Sequence, residues 1–220
     1  LPDKAIFTTL DYTFDTLLER LRQSAYLTRA LTINARDERF DRAATFYFEG
    51  GIASFVRHLN KNRTSIFPKP IHIEKEVNGT QVEVALQFND GYAESVYSFA
   101  NNVNTVDGGT HLTGFRSGLT RTLNDFARKQ NLLKEAEQNL TGDDTREGLT
   151  AIISVKLTDP QFESQTKAKL GNADVRTIVE SVVVEGLGEW LEQNSSDAKK
   201  VVDKCLTTAR AREAARKARD

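Results

Sequence analysis

The chain has 220 residues, enough for one domain or one and a half and for a sizeable buried core. Hydrophobic residues make up 39% and charged residues 28%, which excludes a disordered chain, and no apolar run approaches the ~18 residues that a membrane helix needs. The net charge of −1 excludes a global basic field that would draw the chain to nucleic acid, so any such attraction has to be local.

Asp15 is placed to cap a first helix, on which Leu17, Leu18 and Leu21 share a face and Glu19, Arg20 and Arg22 point outward. Two short strands follow at 31–36 and 44–48, the second broken by Glu49-Gly50-Gly51. Ile52, Phe55, Val56 and Leu59 recur at i, i+3, i+4, i+7, a helical stripe. Ile71 and Ile73 alternate with polar neighbours up to Asn78-Gly79, a hairpin signal because a type I′ turn needs positive φ at both positions. Val82, Val84, Leu86 and Phe88 then alternate with Glu83, Ala85, Gln87 and Asn89, so one face is expected to be buried. Asn89-Asp90-Gly91 reads as a second turn and 94–100 as a third strand, which together predict an antiparallel three-stranded meander.

Beyond Asp107-Gly108-Gly109-Thr110, the residues Leu112, Phe115, Leu119, Leu123 and Phe126 mark the buried face of a long helix. A polar loop, TGDDTREG, leads to an apolar, β-branched strand at 149–157, then to a loop holding Gln165-Thr166-Lys167. Val175, Ile178, Val179, Val182, Val183, Leu187, Trp190 and Leu191 keep helical spacing. Ser196 or Asp197 is placed to cap a final helix, which turns Ala/Arg/Lys-rich and loses its apolar stripe. There is no internal repeat. The expected architecture is α+β or α/β, one main domain with a polar helical tail projecting from it.

Few residues carry chemistry on their own. A single Cys, Cys205, excludes an internal disulfide and a cysteine-based zinc site, and suits a reducing cytoplasm. His58, His72 and His111 show no ligand spacing, and His111 reads as structural. The pairs Gly50-Gly51 and Gly108-Gly109 precede helices, where backbone N–H groups bind phosphate, but no P-loop or dinucleotide pattern accompanies them. Asp143, Asp144 and Glu147 lack a calcium-loop ladder and suit a helix N-terminus. Arg121 and Arg128 share a helix face with Arg116 and Lys129 near it, a stripe able to touch a DNA backbone without reading sequence, or simply a solvated face. Arg210, Arg212, Arg216, Lys217 and Arg219 pose the same choice in the tail, diluted by Glu213 and Asp220. The Lys167 ammonium is a point charge suited to a terminal phosphate and Gln165 an amide donor, although a loop Lys is ordinarily just hydrated.

The order of longer motifs is more specific. FYFEGGIASFVRHLNKN, VEVALQFNDGYAESVYSFANNVNTVDGGTHLTGFRSGLTRTLN, TGDDTREGLTAIISVKLTDPQFESQTKAKLGN and AREAARKARD resemble the DNA gyrase B family over nearly the whole chain, from Leu1 to Asp220. The topoisomerase IV counterpart is the alternative, and GGTHLTGFRSGLTRTLN is the more gyrase-like stretch. The resemblance implies the transducer domain of an ATP-dependent type II topoisomerase, an isomerase that supercoils DNA. It implies an α+β (α/β-type) ribosomal protein S5 domain 2-like fold with a left-handed βαβ crossover at 1–173, and C-terminal helices at 174–220 leading toward the cleavage core. Gln165 and Lys167 would reach the γ-phosphate of ATP in the neighbouring domain, with Lys167 catalytic. Arg116 and Arg121 would line a cavity for the transported DNA. The intact subunit would use ATP and Mg2+, whose ligands are not in this chain, and no cofactor or metal is expected on this piece.

The absence of DNGRGIP, of an acidic base with its neighbouring Asn and of a Gly-rich lid leads to the expectation that the ATP-binding domain is missing and that the isolated chain is inactive. With no Met anywhere, it reads as a fragment of a longer chain. Expected partners are the ATP-binding and cleavage-core domains of the same subunit, the gyrase A subunit and double-stranded DNA through non-specific backbone contacts, in the cytoplasm at the nucleoid and with no membrane. A stand-alone S5-like nucleic-acid-binding module is the reading from a different class.

Overall fold

A computed structural model describes residues 3–219. Leu1, Pro2 and Asp220, and the side chain of Arg219, lie outside the described residues. The backbone divides into two units, one ending at Phe55 and the other beginning at Val56.

In the first unit, α1 (Phe14–Leu27) starts from Thr13, so Asp15 sits in the first turn rather than at the cap. Its carboxylate is drawn instead to Arg42, 2.5 Å away, and that hydrogen-bonded guanidinium holds the carboxyl below its ordinary range. The expected Leu17 face is not the buried one: Leu17 is 43% exposed, and Phe14, Ala25, Tyr26 and Leu27 are covered. Aromatic stacking decides this, because the Tyr26 ring lies 3.7 Å from that of Phe48 and 4.8 Å from that of Phe55. Strands β1 (Ile33–Asp37) and β2 (Arg42–Phe46) pair antiparallel, Ile33 opposite Phe46. Helix α2 (Gly51–Leu59), within which the division falls, buries Ile52, Phe55 and Val56 of its predicted stripe, with Leu59 half-buried.

The second unit is built on a five-stranded sheet of β3 (Ile71–Val77), β4 (Thr80–Phe88), β5 (Ser95–Ala100), β6 (Val103–Asn104) and β7 (Leu149–Lys156). The order is β3-β4-β7-β5-β6. The β3–β4 hairpin forms as expected, with Asn78 at φ 51° and Gly79 at φ 75°. The third strand of the expected meander does not join it. Instead β7 lies between, antiparallel to β4 (Val82 opposite Val155) and parallel to β5 (Val96 opposite Ala151). A strand buried on both faces suits a central position, and β7 is buried from Leu149 through Val155. The Asn89 N–H, which a tight turn would have used locally, donates to Gly148 O at 2.9 Å and leads the chain away from β4. Parallel pairing needs a crossover, supplied by α3 (Thr110–Lys129).

The polar side of β4 is also covered. Gln87 and Asn89 are buried with Asn60 and Thr150: Asn60 Nδ2 donates to Gln87 Oε1 at 3.0 Å and Thr150 Oγ1 to Asn60 Oδ1 at 2.7 Å. Amides and hydroxyls that pair among themselves sit inside without leaving orphaned groups.

Helix α3 stacks on α4 (Ala173–Gln193), whose Val175, Val179, Val183 and Leu187 are buried in one core with Phe115, Leu119 and Leu123. Gly114 allows close approach, since a Cβ there would collide with the Arg176 carbonyl. Trp190 packs on Phe67 with ring centroids 5.1 Å apart. The expected division between 173 and 174 falls inside this unit, where α4 begins.

Helix α5 (Ser195–Arg219) follows Asn194 directly, whose carbonyl accepts from the Ala198 N–H at 2.9 Å, so it starts ahead of both expected caps. It buries Ala198, Val201, Val202, Cys205 and Leu206 and turns polar beyond. The polar half is tied back rather than loose: Arg212 donates twice to Asp144, at 2.9 and 3.0 Å. TGDDTREG is a run of turns, not a helix start. Burial pushes the Asp144 carboxyl up, but the Arg212 fork and the Thr141 hydroxyl and amide outweigh it and hold the group below its ordinary range. No described helix is long and apolar enough to cross a membrane.

Candidate functional site

The Gln165-Thr166-Lys167 triplet caps a small hairpin at 161–171. Phe162 pairs antiparallel with Leu170, Glu163 N donates to Lys169 O at 3.0 Å, and Gly171 N donates to Gln161 O at 2.7 Å. A Glu163–Lys169 ion pair of 3.0 Å closes the same rung. The tip turns back through Lys167, at φ 56°, whose N–H donates to Ser164 O at 3.0 Å, while the Ser164 and Thr166 hydroxyls meet at 2.7 Å. Thr166 therefore shapes the turn. Gln165 and Lys167 are exposed. Lys167 Nζ lies 5.9 Å from the centroid of the Phe162 ring and has no carboxylate within ion-pair reach among the described residues.

The base of the hairpin is stitched to the start of α3. Leu170 N donates to Gly108 O at 3.1 Å, Thr110 N to Leu170 O at 3.1 Å, and Asp107 N to Ala168 O at 2.9 Å. Gly109, at φ 136°, touches the Leu170 backbone so closely that any Cβ would overlap it. This is what the Gly108-Gly109 pair does here: it admits a neighbouring backbone. His111, the first buried side chain of α3, faces inward at 0% exposure, 3.0 Å from Thr105 Oγ1. Burial pushes its imidazole down to about 4. Its Nδ1 is buried without a partner among the described residues.

The basic residues of α3 are not equivalent. Arg116 Nη2 donates to Glu94 Oε1 at 2.8 Å, and Arg146 Nε reaches Glu94 Oε2 at 3.3 Å. Arg121 is 65% exposed and only loosely held, 3.8 Å from Asp125 and 4.0 Å from Glu180. Arg128 is consumed by the loop after the helix, donating to Glu137 O at 2.6 Å, to Asn139 Oδ1 at 2.8 Å and to Lys134 O. Lys129 pairs with Glu192 at 2.5 Å. The expected four-residue stripe thus reduces to Arg116 and Arg121, joined by Arg146, around an open polar depression. Arg146 was missed because it lies in a turn far along the chain. In the tail, Arg210 approaches Glu137 at 3.7 Å and Arg212 is bound to Asp144.

The strand register also brings His72, Glu74 and Glu83 together, their ligand atoms within 4.8 Å of one another. Spacing along the chain did not show this, although period two across the Asn78-Gly79 turn would have. His72 Nε2 is already engaged by Glu83 Oε1 at 2.8 Å.

Comparison with known proteins is consistent along the chain. A family model described as DNA gyrase B matches residues 51–220. The DNA gyrase B protein of Clostridium acetobutylicum is 52% identical over 220 residues, covering 100% of this chain and 34% of that protein. The 43K ATPase domain of Thermus thermophilus gyrase B, solved in complex with an aminocoumarin, superposes with a TM-score of 0.88 at 42% identity, over 99% of this chain and 59% of that one. The topoisomerase IV ATP-binding domain of Francisella tularensis superposes with a TM-score of 0.81 at 30% identity, over 96% of this chain and 57% of that one. The chain spans about a third of the length of the first of these relatives. With the family match running through the mixed sheet, the hairpin and the basic face of α3, this chain belongs to the DNA gyrase B family.

Proposed function

We propose that this chain is the transducing part of an ATP-dependent type II topoisomerase subunit, and that its 161–171 hairpin completes a nucleotide pocket built by residues outside it. One observation carries the reading: Lys167 projects from a hairpin pinned by the Glu163–Lys169 and Gln161–Gly171 backbone bonds, yet its ammonium has no carboxylate partner among the described residues. A pre-positioned cation without an internal partner suits an anion brought from elsewhere. ATP and Mg2+ belong to the intact subunit. The hairpin's own carboxylate, Glu163, is paired with Lys169, so the tip offers a phosphate contact rather than metal ligands.

Lys167 then meets the γ-phosphate and stabilises negative charge that grows during transfer to water, while Gln165 donates an amide hydrogen bond beside it. Loss of that phosphate removes the partner of Lys167. The change passes along the Leu170–Gly108 and Leu170–Thr110 bonds to α3. Arg116 and Arg121 on that helix contact the backbone of double-stranded DNA without reading bases. Helix α5 leads on toward the DNA gate of the same subunit and the gyrase A subunit. By itself the chain hydrolyses no ATP.

The test replaces Lys167 by Ala in the full-length subunit and measures DNA-stimulated ATP turnover and supercoiling. A fall of about 10²–10³ in turnover is expected, the usual effect of removing one transition-state donor. Turnover within twofold of wild type would overturn the role. Tight, salt-sensitive duplex binding by this chain alone would favour the stand-alone module instead.

A further inference from the structure

We propose that Glu94 is a built-in stand-in for DNA phosphate: its carboxylate occupies the fork between Arg116 and Arg146 and has to leave before a duplex phosphodiester docks there. This rests on the reading above that the α3 face meets the DNA backbone.

Two guanidinium groups from distant segments, one on α3 and one in the 141–148 turn, converge on the two oxygens of one carboxylate, at 2.8 and 3.3 Å. That is the arrangement by which Arg residues grip the two free oxygens of a phosphodiester. The fork is not fully satisfied by Glu94. Arg116 Nε is shut off from solvent with no acceptor among the described residues. An orphaned buried donor calls for an explanation, and a phosphate offers more lone pairs than one carboxylate. The surroundings match: the depression is lined by Ser117, Thr120, Arg121, Asn124 and Asn139 as well as the fork, the donor types that hold DNA backbones, and its carboxylate, Asp125, lies 3.8 Å from Arg121.

Glu94 is itself placed to withdraw. It stands one residue before β5, in the loop after Asn89, so its side chain can turn away without breaking a ladder bond. Its side chain is 30% exposed. Asp143 touches the same Arg146 at 2.6 Å but is 86% exposed, where water screens the pair. Among the described residues only Glu94 bridges both arginines. The device keeps a strongly cationic cluster silent toward stray polyanions, and lets duplex held close by other contacts displace the carboxylate.

The experiment titrates a 30-base-pair duplex of mixed sequence against the 220-residue chain at several salt concentrations. Glu94→Gln is expected to tighten binding about tenfold at low salt and to steepen the salt slope by roughly one unit, the signature of one more phosphate neutralised. Glu189→Gln, the same charge change on α4, is the control and shifts binding less than twofold. Glu94→Asp, which keeps the charge but shortens the reach, falls between wild type and Glu94→Gln, and it preserves the test if Glu94→Gln melts early.

An effect of Glu94→Gln no larger than the control, while Arg116→Ala and Arg146→Ala weaken binding, overturns the stand-in role and leaves the DNA-facing reading intact. Binding unchanged in those Arg variants overturns both. Inorganic phosphate at matched ionic strength leaves the Glu94→Gln gain in place. If it abolishes that gain, the fork takes isolated phosphate ions and the duplex assignment is overturned.

Discussion

Lys167 and Arg128 are both cations at the edge of a loop, and nothing in their residue types separates them. Arg128 spends its donors on Glu137 O, Asn139 and Lys134 O, so it pins the 130–139 segment to the end of α3. Among the described residues Lys167 has the Phe162 ring beside it and no carboxylate, on a hairpin held by the Glu163–Lys169 and Gln161–Gly171 backbone bonds. The contrast teaches that a surface cation's role is read from what it already holds. A side chain with internal acceptors belongs to the fold, and one held out on a rigid support without an opposite charge is available to something outside.

The largest effect separates the two cations directly. Lys167→Ala should lower ATP turnover of the full-length subunit by about 10²–10³. It should leave the unfolding free energy within about 0.5 kcal/mol of wild type, because no internal bond is lost. A matching loss of stability, read by denaturant titration, would dissolve the contrast and make Lys167 structural.

The next effect concerns the base of the same hairpin. His111 follows the Gly108–Thr110 stitches and is buried against Thr105, and burial holds it down to about 4, against an ordinary 6.5. The unfolded chain therefore takes up a proton more readily than the folded one. The stability that His111 contributes is fully present above pH 6.5 and is lost as pH falls toward 4. The shift corresponds to about 3 kcal/mol across that window. Denaturant titrations at pH 7.5 and pH 5 should show about 2 kcal/mol of it, the rest falling away below pH 5, and His111→Asn should flatten the slope. An unchanged slope in the variant would place the pH sensitivity elsewhere.

Arg128→Ala comes third. It strands the carbonyls of Lys134 and Glu137 and should lower stability by about 2 kcal/mol, the usual effect of losing charge-assisted bonds. Turnover of the folded enzyme should stay near wild type. A fall in turnover without a loss of stability would put Arg128 back among the functional cations.

Which of these features the sequence discloses follows from how local their causes are. The Asn78-Gly79 hairpin, the α3 face from Phe115 to Phe126 and the α4 stripe depend on neighbours within a few residues, and pattern reading found them. The position of β7 depends on competition among strands. Its apolar, β-branched run marked it as a strand, but the notion of a meander from adjacent turns concealed that it lies between β4 and β5. Asp144 looked like a helix-terminal acid because its partner, Arg212, lies 68 residues away. The same distance problem hid Arg146 beside Arg116. Lys167 was singled out through family resemblance alone, since an exposed Lys after a Thr has no local signature.

Arg121→Ala is the smallest effect and the finest test of the comparison. Arg121 lies between the two extremes: it has carboxylates nearby, but at 3.8 and 4.0 Å and with its own side chain 65% exposed. Ion pairs that loose and that wet contribute a few tenths of a kcal/mol at most. Stability should therefore change by less than about 0.5 kcal/mol. If Arg121 serves the outside, as proposed for Lys167, its loss should weaken binding of a mixed-sequence duplex uniformly and reduce the salt slope by roughly one unit. If it serves the fold, as Arg128 does, the slope stays fixed and only the melt moves. A single pair of titrations, in salt and in denaturant, assigns it to one side.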